Sequence, residues 1–238
     1  MSSRKGRKEA ARVVREQLAQ ERRRKRTLWV SVTAVFVLVI AGFVGWAVYS
    51  EQRAGEFTPP PGANEAGTGI VYGSGPVTID LYEDYLCPAC KQFQEVSGET
   101  VDQLADEGKA QVVFHPVAIL DSRSTTQYST RSSAAAGCAS AGGKFREFSE
   151  ALFVQQPGED GAQFNNDELI DIGVGVGLDR DSFGSCVKDG TYLSWTKHVT
   201  EESSRANVSG TPTVLVNGEP VADWTSPENI RAAVEAAS

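Results

Sequence analysis

The sequence predicts an α/β protein: a mixed sheet carrying a helical insertion, preceded by one membrane-crossing helix. Three observations carry this prediction. An uncharged run of 22 residues, Leu28 to Tyr49, lies near the start of the chain. Strand-like alternation of apolar and polar residues occurs early and late in the remaining two hundred or so residues. Between about residues 122 and 207 the apolar spacing changes from two to three and four, the helical period.

The chain has 238 residues and a formal net charge of -8, unevenly divided. Residues 1–27 hold eleven Lys and Arg against three Glu; the rest holds 12 basic and 28 acidic residues. The acidic body excludes a nucleic-acid-binding face, which needs clustered positive charge on the folded domain. The run 28–49 is long enough, at about 1.5 Å per residue, to cross a hydrocarbon core of about 30 Å. Trp29 stands near one end and Trp46 and Tyr49 near the other, where aromatic rings favour the interface. Five consecutive basic residues, Arg22 to Arg26, precede the run and place residues 1–27 in the cytoplasm as a basic tail. A cleaved signal peptide would have a shorter apolar core and a small-x-small site, which Ala47-Val48-Tyr49 is not. The expectation is a single-pass cell-membrane protein whose later residues lie outside the cytoplasm.

Residues 50–69 contain Pro59-Pro60-Pro61 and Gly62, Gly67 and Gly69 with few apolar residues, the composition of a semi-extended linker. The folded part is expected over 70–238. Ile70 to Tyr72 is a short strand candidate. Val77, Ile79 and Leu81 alternate with Thr78, Asp80 and Tyr82, which is strand patterning. Ala89, Phe93, Val96, Thr100 and Leu104 then recur at helical spacing. Gln111 to Phe114 reads as a strand that Val117 to Leu120 extends. Helical periods follow over Ala134–Ala141, Phe145–Phe153, Asp167–Ile172 and Leu193–Arg205. Thr213 to Val216 is a strand, Asn217-Gly218 a hairpin turn, and Ser226-Pro227 the cap and first residue of a last helix.

Four cysteines, an even number, suit a compartment that tolerates disulfides, and three pairings are open. Cys87 and Cys90 stand apart because Cys87-Pro88-Ala89-Cys90 lies where a strand meets a helix. Pro88 suits the first helical turn, so Cys87 falls at the N-cap. There its sulfur meets unsatisfied N–H groups and the positive end of the helix dipole, which favour thiolate over thiol. A low-pKa thiolate leaves readily, so the disulfide form is an oxidant, and Cys90 is placed to resolve. A structural bridge at this spacing and a zinc site are the alternatives. Zinc sites take close pairs of ligands, and Cys138 and Cys186 are each isolated by 47 intervening residues from the next cysteine. Gly210-Thr211-Pro212-Thr213 enters a strand with a proline, explained either by a cis Thr211-Pro212 bond or by an edge position.

The strand, Glu83-Asp84-Tyr85-Leu86-Cys87-Pro88-Ala89-Cys90, the helical insertion and Gly210-Thr211-Pro212-Thr213 together resemble the DsbA-like branch of the thioredoxin superfamily. The resemblance covers about residues 69–238. It implies a thioredoxin fold with an inserted helical domain, a cis Pro212 opposite Cys87, and an extended substrate segment held along the backbone at Thr211. It implies thiol–disulfide exchange on exported proteins with cysteine thiols, and re-oxidation by a quinone-linked membrane partner of the DsbB or vitamin K epoxide reductase type. No bound cofactor or metal is expected. Ala89 stands where the best-known DsbA proteins have histidine, which leaves the direction of exchange open between oxidation and reduction or isomerisation.

Cys138 and Cys186, both in the helical block, are expected to form a structural bridge like those of similar proteins, with a second redox pair as the alternative. Asp84, three residues before Cys87, is a candidate for proton transfer or for capping the helix. His115, His198, Trp195 and Trp224 read as structural. A third role, a tethered binding module that keeps the fold without catalysis, is separated from the enzyme by Cys87→Ser, which it would tolerate.

Overall fold

The computed structural model describes Trp29 and residues 36–45, 57–158 and 162–238. The chain divides into two compact units between residues 55 and 56. In the first, Trp29 and residues 36–45 are helical. The tail 1–27, most of the expected span 28–49 and residues 50–56 lie outside the described residues. Among the described residues no helix is long and apolar enough to cross a membrane.

The second unit is built on a five-stranded sheet in the order β1-β3-β2-β4-β5. Its strands are β1 (Ile70–Tyr72), β2 (Val77–Glu83), β3 (Ala110–Pro116), β4 (Thr213–Val216) and β5 (Glu219–Pro220). β2 and β3 run parallel, with Glu83 opposite Pro116. Their crossover passes through α1 (Pro88–Phe93), a π turn (Gln94–Gly98) and α2 (Glu99–Asp106). β4 pairs antiparallel with β2 and begins at Thr213 opposite Tyr82. This register carries Pro212 to the end of β2, where the chain turns into Cys87. Val77, Ile79 and Leu81 are fully buried in the core the sheet shares with Phe93, Leu104, Ile230 and Val234. Asn217 and Gly218 both have positive φ, 49° and 85°, the pair that a tight hairpin requires. The closing helix α8 (Pro227–Ala236) begins behind Ser226.

The insertion holds α3 (Tyr128–Ala141), α4 (Phe145–Val154), α5 (Asn166–Gly175), α6 (Arg180–Asp189) and α7 (Leu193–Arg205). α3 is buried along most of its length because it is made largely of Ser, Ala, Gly and Cys. Such small side chains let it lie close to β3, where Ser133 Oγ donates to the Pro116 carbonyl at 2.5 Å.

Three expectations need correction. Residues 57–69 are not a free linker: Ala63 bridges Ile70, Trp195 Nε1 donates to the Gly67 carbonyl at 2.8 Å, and Phe57 stacks on His198. A few anchors suffice to dock a Pro- and Gly-rich strap that buries little of its own. Val117–Leu120 does not extend β3; Ile119–Arg123 is a 3₁₀ turn, because the Leu120 amide turns to bond Asp84. The helix after Cys90 is interrupted by the π turn. One extra residue per turn shifts the helical phase, so Ser97 and Gly98 are buried and Val96 is 42% exposed. The helix α6 was not among the helical periods named from the sequence; Asp179 caps its start and Gly190, at φ 64°, ends it.

Candidate active site

Cys87 is the N-cap of α1, in extended conformation, with Pro88 at the first helical position. Its carbonyl accepts the first helical bonds from the amides of Cys90 and Lys91 at 3.1 and 3.2 Å. Cys87 and Cys90 are both free and both buried, so the pair is in its reduced form. The Thr211–Pro212 bond is cis. The Thr211 carbonyl lies 3.3 Å from Cys87 Sγ and accepts from the thiol when it is protonated. Pro88, Ala89, Thr211 and Pro212 are at least partly exposed around this point. Of the two cysteines, Cys87 alone keeps exposed surface, at 6%.

The two thiols are driven apart. Cys87 is lowered from 9.0 to about 6, first by the hydrogen bond from Cys90, against the opposing effect of burial, with help from the Thr211 side chain and the amides of Cys90 and Ala89. Burial pushes the Cys90 thiol well above its ordinary value, and its bond to Cys87 adds to this. One sulfur is thus an outward-facing thiolate and the other an inner thiol.

A depressed folded-state pKa stabilises the reduced protein fully above about 9, the unfolded value, and that contribution is lost as the pH falls through about 6. Iodoacetamide is accordingly expected to alkylate Cys87 with a rate midpoint near pH 6. A midpoint above about pH 8 would show that the helix N-terminus and Cys90 do not stabilise the thiolate.

Asp84 is fully buried and does not cap α1 with its side chain. Its carboxylate accepts from Ser129 Oγ at 2.6 Å and from the amides of Leu86 and Leu120 at 2.9 Å each. Burial nevertheless raises it to about 6. The acid ties the active-site loop to α3 and to the 3₁₀ turn. Cys138 and Cys186 are joined, with Cα atoms 5.9 Å apart, and link α3 to α6. They are therefore not available as thiolate ligands to a metal. His115 is buried, bonded to the Thr68 carbonyl and to Asp80, and Trp224 packs edge-on against Phe93.

Three residues of this site were not singled out by the sequence. Glu83 is 5% exposed beneath the cysteines, and burial raises its carboxyl to about 8. Its signal was present, since 77, 79, 81 and 83 share one strand parity and the first three point inward. Gln94 Nε2 donates to both Glu83 oxygens at 2.8 and 2.9 Å. Gln156 Nε2, just after α4, donates to the carbonyls of Tyr85 and Cys87 at 2.9 and 3.0 Å. These two glutamines had no sequence signal, because only the fold brings them to the loop.

Residues 65–236 match the family model described as Thioredoxin. Among solved structures, the reduced disulfide bond oxidoreductase DsbG of Mycobacterium tuberculosis is 33% identical, covering 74% of this chain and 85% of that one at a TM-score of 0.61. Oxidised DsbA of the same organism is 32% identical, with coverages of 73% and 89% and a TM-score of 0.61. BdbD of Bacillus subtilis, 20% identical, shares the fold at a TM-score of 0.64, over 76% of this chain and 98% of that one. Among curated proteins, the serine/threonine-protein kinase PknE of Mycobacterium tuberculosis is 30% identical over 172 residues, 67% of this chain. The chain spans only 30% of that kinase's length, so the likeness concerns one part of it. With a thioredoxin family model covering the whole sheet and insertion, and with a Cys-Pro-Ala-Cys pair facing a cis-proline, the chain belongs to the thioredoxin family and is a thiol:disulfide oxidoreductase.

Proposed function

We propose that the protein oxidises cysteine pairs in exported proteins, outside the cytoplasm, through a Cys87–Cys90 disulfide. The observation that carries this reading is the split between the two thiols. A Cys87 thiolate stabilised at a helix start makes the reduced form stable and hence the disulfide form oxidising. A substrate thiolate attacks Cys87 Sγ, the Cys87–Cys90 bond breaks, and Cys90 leaves with the electron pair and takes a proton. Glu83, the buried acid beneath the cysteines, and Asp84, three residues before Cys87, are the proposed proton sources. A second substrate thiolate then attacks the substrate sulfur of the mixed disulfide, forming the substrate bond and releasing Cys87 as thiolate. Two electrons have passed to the enzyme. The extended substrate segment lies along the backbone at Thr211.

A quinone-linked membrane protein of the DsbB or vitamin K epoxide reductase type is the proposed electron acceptor. The proposed location is the cell membrane, with the basic tail inside and the catalytic unit outside, supported by the uncharged run 28–49 and the basic cluster before it. The reduction potential of the full chain in detergent tests the direction. A value near about -120 mV is expected for an oxidase, whereas one near about -270 mV would make the enzyme a reductase or isomerase.

A further inference from the structure

Glu83 is held by a chain of contacts that leads out of the site. Gln94, whose Nε2 donates to both carboxylate oxygens, sits with its own carbonyl oxygen 3.5 Å from Arg146 Nη2. The same guanidinium grips Asp102 through Nη2 and Nε, at 2.6 and 3.0 Å. Arg146 comes from α4 of the insertion, Asp102 from α2 and Gln94 from the π turn. Two further details point the same way. A Cβ on Gly98 would come within 2.8 Å of Gln94 Oε1, so this glycine leaves room for the amide. Arg146 Nη1 is buried without a hydrogen-bond partner, and an unpaired buried donor favours negative charge nearby.

The ionisable groups facing Glu83 are Cys87 and Cys90 from the start of α1, Tyr85 just after β2, Asp102 from α2 and Arg146 from α4. Arg146 is the one cation among them. Burial favours the protonated acid, while the Gln94 amide and Arg146 favour the carboxylate; Asp102 opposes them. A guanidinium stays charged, so its effect is a field and not a relayed proton. A cavity of about 520 Å³ opens over Gln94, Gly98, Asp102 and Arg146, giving solvent access to the outer end of the chain of contacts.

We propose that Gln94 and Arg146 are positioning residues that set the ionisation of Glu83, with Asp102 tempering them by competing for the guanidinium. This rests on Cys87 and Cys90 being the redox pair, whose proton exchange Glu83 then governs. The helical insertion thereby tunes the chemistry of the sheet domain through one arginine.

The test is a titration of the Glu83 carboxyl by NMR in the full, reduced chain in detergent, labelled with carboxyl-¹³C glutamate and assigned by Glu83→Gln. Arg146→Met is expected to raise the Glu83 midpoint by about one pH unit or more, a tenfold change in ionisation ratio. Arg146→Lys should restore most of it. Gln94→Leu and Gly98→Ala should raise it too. Asp102→Asn should lower it, the opposite sign, which general loosening of the structure would not produce. Unmoved midpoints, or shifts of one sign for Arg146→Met and Asp102→Asn, overturn the proposal. If Arg146→Met does not fold, Asp102→Asn and Gly98→Ala carry the same opposed test. Absence of exchange by the wild-type chain would instead sink the redox reading, and leaves the titration outcome to be judged by itself.

Discussion

Cys87→Ser is expected to cut thiol–disulfide exchange to the background rate, a loss of about a thousandfold or more, since the thiolate is the reacting species and serine supplies none. Cys90 cannot stand in. It has no exposed surface, and burial keeps it protonated. Cys90→Ser should behave differently, because Cys87 remains a thiolate facing Thr211 and Pro212. It can still form a mixed disulfide but has no neighbour to resolve it. The paired measurement is turnover for Cys87→Ser and trapped mixed disulfides on a non-reducing gel for Cys90→Ser. Exchange that survives Cys87→Ser would move the chemistry to another cysteine. A cellular phenotype that survives it, with exchange lost, would favour the tethered binding module.

The catalytic motif was legible because its logic is local. Pro88 fixes a helix start, and a helix start is what lowers a thiol pKa, so Cys87 could be assigned from four residues. Pro212 needed more, since a cis bond and an edge position explain the same letters; the β2–β4 register decides what lies opposite it. Glu83 shows a different limit. Its strand parity pointed inward, yet a carboxylate reads as a surface residue until burial and the Gln94 amide are seen. The strap 57–69 failed for the converse reason. Its composition is that of a linker, and its attachment depends on Trp195 and His198, more than a hundred residues later. The π turn was beyond reach, because one added residue per turn leaves the apolar spacing readable as an ordinary helix on either side.

Removing the Cys138–Cys186 bridge with a double substitution to alanine is expected to destabilise the protein by about 4 kcal/mol, mostly by freeing the unfolded chain. The residues are 48 apart in sequence, which places the closed loop well into the range where chain entropy counts. For a unit of this size the thermal midpoint should fall by on the order of 10 °C. The structure argues for this outcome over a second redox role. Cys138 is 3% exposed and Cys186 only half-buried, so an external thiolate could reach the bridge at Cys186 alone. Among the described residues no cis-proline strand entry stands beside it, as Thr211 and Pro212 stand beside Cys87. The bridge instead pins α6 to α3, and α3 supplies Ser129 to Asp84 and Ser133 to Pro116. Loss of stability with exchange retained at low temperature is therefore the expected pair of results, read by thermal unfolding and by turnover. If turnover at low temperature fell with the fold intact, electrons would have to pass through this second pair, and the bridge would belong to the mechanism.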